Sequence, residues 1–197
     1  MIEENKIENI ENKEVSNKKE FWEFCWEVAK IIIIATVIVL PIRYFLFQPF
    51  FVKGESMSPN FEEGNYLIID EISYRFRAPE RGEVIVFKYP IDPTNRFIKR
   101  IIGLPGEIIE IKDNQITIYM GDKTKILDES YLPDDLETSG EIKIALGLDE
   151  YFVMGDNRPY SFDSRRFGVL NKDFITGRVL LRAWPIDSIS IIKQPAY

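Results

Sequence analysis

Hydroxyls, lysines and carboxylates must carry whatever chemistry this chain performs, because its 197 residues include no histidine and a single cysteine, Cys25. The missing imidazole excludes serine and cysteine hydrolases with a histidine base, and nearly all histidine-ligated metal and haem sites. One cysteine excludes an intramolecular disulfide, a CxxC redox pair and a multi-cysteine metal site. Three segments concentrate the remaining candidates. Ser56 lies in FFVKGESMSPNFEEG, with Gly54 two residues before it and Pro59 three after. Such a serine is ordinarily a solvated loop residue. Lys99 lies in TNRFIKRIIGLPGE, where strand alternation puts Phe97, Lys99 and Ile101 on one face and Ile98, Arg100 and Ile102 on the other. A lysine on an apolar face either runs its stem out to water or is desolvated with a lowered pKa, and only the second makes a base. GDNRPYSFDSRRFG, from Gly155 to Gly168, carries more Asp, Asn, Arg and Ser than a turn needs. It reads either as a surface loop held by Asp to Arg pairs or as catalytic groups on a rigid scaffold.

The chemistry these groups would share is acyl transfer. A serine hydroxyl becomes a useful nucleophile when a neighbouring base takes its proton, and a lysine can do that when neutral near pH 7 to 8. From a reference of about 10.4 its pKa must fall by roughly 2 to 3 units, for which burial is the available tool. Phe97, Ile101 and Met57 are candidates to bury it. Arg100 cannot substitute, since a guanidinium stays protonated.

Taken together and in this order, GESMSP, RGEVIVF, FIKRIIGLPGE and GDNRPYSFDSRRFG resemble the bacterial type I signal peptidases, membrane-anchored serine peptidases that remove signal peptides from exported proteins. The resemblance runs from Phe24 onward. It implies that Ser56 is the nucleophile, Lys99 the general base and Ser161 a serine that orients the lysine, with Asp163 and Arg165, and Asp156 beside them, supporting the site. Where some members carry an oxyanion-donating serine, this chain has Gly54, as other members do. The oxyanion would then rest on backbone N–H groups, chiefly that of Ser56, with glycine allowing close approach of the backbone. Phe50, Val52, Met57 and Ile98 would line shallow pockets for small side chains of a preprotein lying extended along a strand edge. No metal and no organic cofactor are implied, and the partners are secretory preproteins and the lipid bilayer.

The elements that must position these groups divide the chain in three. Residues 1–20 hold six Glu, four Asn and four Lys with no aromatic residue, which predicts a disordered tail. Residues 21–47 form an interfacial segment and anchor: the twenty residues from Val28 to Phe47 span roughly 30 Å as a helix, enough for a hydrocarbon core. Only twelve uncharged residues separate Lys30 from Arg43, so both cations would snorkel to opposite interfaces, where Trp22, Trp26 and Tyr44 also belong. Leu40 to Gln48 offers no pair of small residues for cleavage, against a removable signal peptide. Lys13, Lys18, Lys19 and Lys30 outnumber Arg43 and Lys53, placing the N-terminus in the cytoplasm and the remainder outside a single-pass cell-membrane protein. Residues 48–197 alternate apolar and polar in short runs, as in EVIVFKY, GEIIEIKD, QITIYM and RVLLRAW, punctuated by Leu104-Pro105-Gly106 and Asp113-Asn114. The fold class is therefore mainly β, an antiparallel catalytic sheet domain behind one N-terminal transmembrane helix, expected to act as a monomer.

Other functions fit less well. A net charge of −7 and a pI near 4.9 argue against a nucleic-acid protein. A non-catalytic tethered β module would bind extended peptides at the same edge without cutting them. An aspartyl hydrolase built on Asp156 and Asp163 needs carboxylates that share a proton, whereas Arg158, Arg165 and Arg166 would keep them ionised. Self-cleaving repressors, another Ser/Lys class, would have a DNA-binding domain where the anchor stands. Without imidazole, activity should rise as Lys99 loses its proton, with no limb from a histidine near about pH 6.5.

Overall fold

In the computed structural model of the chain, the described residues are 21–39 and 47–195. The expected disordered tail and residues 40–46 of the expected anchor lie outside them. Two compact units divide near Tyr44. In the first, residues 21–39 form helix α1. It carries Glu23, Glu27 and Lys30, and among the described residues no helix is long and apolar enough to cross a membrane.

The second unit is antiparallel β structure. Its strands are β1 (Phe47–Phe51), β2 (Tyr66–Asp70), β3 (Val84–Lys88), β4 (Arg96–Gly103), β5 (Ile108–Lys112), β6 (Gln115–Met120), β7 (Lys123–Ile126), β8 (Ile142–Ala145), β9 (Glu150–Met154), β10 (Leu170–Asn171), β11 (Ile175–Trp184) and β12 (Ser190–Ile191), with the one-turn helix α2 at Ser164–Phe167. They form a larger sheet in the order β1-β2-β11-β3-β4-β9-β10, with β12 on β11, and a smaller one in the order β7-β6-β5-β8. The four alternating runs coincide with β3, β5, β6 and β11. The turn between β5 and β6 is built by Asp113 and Asn114 at φ 51° and 62°, a left-handed pair suited to a two-residue hairpin.

β3 and β4 lie inside the larger sheet and are apolar on both faces, which alternation alone does not announce. Val84, Val86 and Ile98 join Val52, Met57, Phe61, Leu67 and Ile69 on one side. Ile85, Phe87 and Ile101 join Tyr151, Val153 and Leu170 on the other. A third cluster ties the smaller sheet to the ends of β4 and β9 through Ile102, Phe152, Met154, Ile109 and Ile118. β9 pairs with β4 only from Arg100 onward, so the edge of β4 over residues 96–99 is open on that side. Among the described residues β1 pairs with β2 alone and has no partner on its other edge. These two edges frame the site.

Ile85 sits at 0% exposure, opposite Lys99 in the β3 to β4 register. Ile85→Ala should lower unfolding stability by about 2 to 4 kcal/mol, read from urea denaturation, because a packed sheet interior closes poorly over a cavity.

Candidate active site

Ser56 is carried by the tight turn that follows β1, where Ser58 N–H donates to Glu55 O (3.0 Å) and Phe61 N–H to Met57 O (2.8 Å). Gly54 enters this turn at φ +79°, a left-handed conformation that side chains resist. A Cβ there would meet nothing within 4 Å. The glycine therefore serves the turn of the backbone, and it lines the cleft beside Ser56.

Lys99 points from β4 into the body beneath that turn. It is 3% exposed, and its Nζ lies 2.6 Å from Ser56 Oγ and donates to the carbonyl of Ile98 at 2.9 Å. Burial lowers its pKa from 10.5 to about 8, against the opposing pull of the Asp163 and Asp156 charges. Phe97 contributes to that burial, with its ring centroid 5.7 Å from Nζ. A lysine with this pKa is neutral in about a tenth of molecules at pH 7 and in half at pH 8.

The third segment, between β9 and α2, packs against the other two. Asp163 caps α2, accepting from Arg165 N–H (3.2 Å) and Gly155 N–H (3.0 Å), and its carboxylate takes the Arg165 guanidinium at 2.9 Å on each oxygen. Burial raises its pKa, but the Arg165 hydrogen bonds and charge outweigh that and hold it below 3.8. Asp156, fully buried, is bound by Arg100 at 2.8 and 2.6 Å and by Asn60 Nδ2 at 3.0 Å. Its partner is thus Arg100 and not the neighbouring Arg158, because the second face of β4 is as buried as the first. With each carboxylate engaged by its own guanidinium, Asp156 and Asp163 do not form a proton-sharing pair.

Arg158 turns away and satisfies itself elsewhere. Its guanidinium, wholly buried, bonds Glu129, Thr138 Oγ1 (2.5 Å) and the hydroxyl of Tyr131 (3.1 Å), while its Nε donates to Gly155 O (3.0 Å). Arg165 reaches the carbonyl of Ser139 at 3.2 Å, and Arg100 lies 4.3 Å from the centre of the Tyr131 ring. Residues 129–139, between β7 and β8, are therefore a strap across the back of this loop.

Phe50, Phe51, Lys53, Gly54, Glu55 and Ser56 form one wall of a cleft of about 490 Å³, and Thr94 to Lys99 form the other, with Tyr160 and Phe162 at its end. Phe50 and Ile98 line it. Val52 and Met57, at 2% and 0% exposure, lie in the core cluster to which Ile98 belongs. Phe51 is 59% exposed and packs edge-on against Tyr66. Ser161 is 2% exposed, and its hydroxyl adds to the hydrogen bonding that holds the Asp163 pKa down. Among the described residues no cluster of acidic or sulfur side chains could hold a metal ion.

A family model described as signal peptidase, peptidase S26, matches residues 25–184. The chain belongs to the signal peptidase family. It is 38% identical over 194 residues to the probable signal peptidase I-2 of Synechocystis sp., covering 93% of this chain and 85% of that one. It is 34% identical over 171 residues to signal peptidase I V of Bacillus subtilis, covering 81% and 96%. A solved signal peptidase I from Enterococcus faecalis is 29% identical, with a TM-score of 0.45 over 52% of this chain and 97% of that one.

Of the residues singled out in the sequence, the structure brings Ser56 and Lys99 into contact and gathers Asp156, Ser161, Asp163 and Arg165 directly behind them. Sequence reasoning missed Arg100, Asn60 and Asn157 as partners of the site, and the strap residues Glu129, Tyr131 and Thr138. Arg100 was visible as the neighbour of Lys99, but the strap carries no local signal because its contacts cross long stretches of chain.

Two measurements test the geometry. In Gly155→Ala the new Cβ would overlap the Ser56 carbonyl oxygen and Ser161 Oγ, so this variant should cost about 1 to 3 kcal/mol of stability in denaturant and most of the turnover. Lys99 binds fewer protons folded than unfolded between pH 8 and 10.5, so its cost is full below the lower value and fades towards the upper. Lys99→Met should therefore be more stable than the parent at pH 7 by up to about 3 kcal/mol, with the gap closing as pH rises from 8 to 10.5.

Proposed function

We propose that this member of the family removes N-terminal signal peptides from secretory preproteins as a serine endopeptidase, with Ser56 as nucleophile and Lys99 as general base. The observation that carries the reading is the 2.6 Å contact between Ser56 Oγ and the Nζ of a lysine whose burial brings its pKa to about 8. A module that merely binds peptides has no use for such a contact.

The steps follow from the groups present. A preprotein strand lies in the cleft between the open edges of β1 and β4, where main-chain pairing holds any extended sequence and the walls at Phe50 and Ile98 favour small side chains. Val52 and Met57 back those walls from the core. Neutral Lys99, fixed by the Ile98 carbonyl, takes the Ser56 proton as Oγ attacks the scissile carbonyl. The oxyanion is received by backbone N–H groups of the turn, that of Ser56 first, which donates to no acceptor among the described residues. Lys99 then protonates the leaving amine, and water repeats the sequence on the acyl-enzyme. Ser161 helps to orient the lysine, and Asp163 with Arg165 and Asp156 with Arg100 hold the loop behind it. No metal or organic cofactor takes part.

The enzyme works as a monomer at the outer face of the cell membrane, with the N-terminus in the cytoplasm. Support comes from α1, whose side chains from Ile31 to Val39 are all exposed, Ile31 at 67% and Val37 at 66%. That surface suits a lipid surround.

Preprotein cleavage in detergent tests the dyad. Ser56→Ala should abolish it, and so should Lys99→Arg, since a guanidinium never becomes a base at neutral pH. The kcat/KM of the parent should climb with pH through a single ionisation near 8 and then level. Near-normal turnover by either variant would sink the assignment.

A further inference from the structure

The nucleophile turn is gripped from behind by one residue that the chemistry above does not use. Asn157 N–H donates to the carbonyl of Ser56 at 3.1 Å, and Asn157 Nδ2 donates to the carbonyl of Glu55 at 3.0 Å. The Glu55 carbonyl also accepts from Ser58 N–H at 3.0 Å, so it carries two donors. It belongs to the same peptide unit as the N–H of Ser56. In a trans peptide the two groups point in opposite directions, so a carbonyl held from one side fixes where its N–H aims on the other. Hydrogen bonds accepted by the oxygen also polarise the unit and strengthen its N–H as a donor.

Asn157 is itself held rigidly. On one side Asp156 is locked to Arg100 at 2.6 and 2.8 Å, and on the other the Arg158 guanidinium is fully buried against Glu129. The Gly155 carbonyl takes Arg158 Nε at 3.0 Å, and Tyr160 N–H closes the turn onto the Asn157 carbonyl at 3.1 Å. A short side chain mounted between two buried ion pairs can hold a peptide unit more precisely than the surface turn could hold itself.

We propose that Asn157 is a positioning residue for the oxyanion site, orienting and polarising the peptide unit that presents the Ser56 N–H. The proposal rests on Ser56 being the nucleophile. It assigns Asn157 an effect on the transition state that the ground state does not share, because the ground-state carbonyl carries less charge than the oxyanion it becomes. A residue that only braced the fold would lower stability and disturb Lys99 along with Ser56.

The experiment measures Asn157→Ala and Asn157→Asp against the parent in preprotein cleavage, in binding of a peptide boronic acid that forms a tetrahedral anion on a serine hydroxyl, and in urea denaturation. Asn157→Ala should lower kcat by about 10 to 100 fold, less than the loss of a direct oxyanion donor, with KM unchanged within about twofold. Boronate affinity should fall in parallel, and the ionisation near pH 8 should stay where it is. Asn157→Asp should be worse, since a carboxylate would repel the Glu55 carbonyl. A kcat within about twofold of the parent in Asn157→Ala, a loss appearing in KM, or a displaced pH limb would overturn the proposal. Failure of both variants to fold would do the same, by making Asn157 a structural residue. Ser56→Ala, run alongside, separates the two assignments: if it still cleaves, the nucleophile assignment falls and takes this proposal with it, whereas an inactive Ser56→Ala beside an Asn157→Ala of parental kcat overturns the role of Asn157 alone.

Discussion

Keeping an ammonium out of water is the constraint on which the rest of this structure depends. A chain without imidazole can run base chemistry near neutrality by displacing a lysine pKa, and displacement by burial opposes folding wherever the solvated group would be charged. The larger sheet meets that demand by being apolar on both faces at β3 and β4, so Lys99 can sit between Phe97 and Ile101 without reaching solvent. The two nearby carboxylates work in the opposite direction, since Asp163 and Asp156 each favour the charged lysine. Their guanidinium partners limit the damage: Arg165 and Arg100 engage each anion with two hydrogen bonds, so little unbalanced negative charge is left to hold the proton on Lys99.

Position follows from the same economy of elements. Ser56 comes from a turn, Lys99 from a strand interior and the supporting acids from a loop, and the three meet because main chain touches main chain. Gly155 lies so close to the Ser56 carbonyl that no side chain fits between. The turn is thus placed by backbone contact, while the two edges left unpaired beside it stay available to an extended chain.

The sequence was most informative where periodicity and chemistry coincided. Alternation located β3, β5, β6 and β11, and it put Lys99 on an apolar face between Phe97 and Ile101, which is where burial acts on it. Alternation put Arg100 on the opposite face but could not say that this face is buried too, as it is for a strand in the middle of a sheet covered on both sides. Asp156 was consequently matched to its neighbours in sequence when its partner stands on β4. The positive φ of Gly54 was not legible, since nothing in a residue's identity distinguishes a demand for space from a demand for positive φ. The order of strands, the burial of Val52 and Met57 in the core, and the closure of the strap over the loop depend on contacts between residues tens of positions apart, which no local pattern encodes.

The strap has a consequence for how this molecule can change. Between β4 and β9 the chain leaves the larger sheet, builds four strands of its own and returns, an excursion that looks dispensable beside Ser56 and Lys99. Yet Glu129 is the carboxylate that neutralises a fully buried Arg158, and the Ser139 carbonyl receives Arg165. Trimming the excursion back to a short loop would strand the Arg158 cation behind Ser56, at a cost of several kcal/mol for an unpaired buried charge, and would take one hydrogen bond from Arg165, which keeps Asp163. A change of length escapes this cost at places that carry none of these contacts, such as the turn at Gly121 and Asp122 between β6 and β7. The excursion and the loop it covers are tied by these contacts, so transplanting either into a related sheet requires transplanting both.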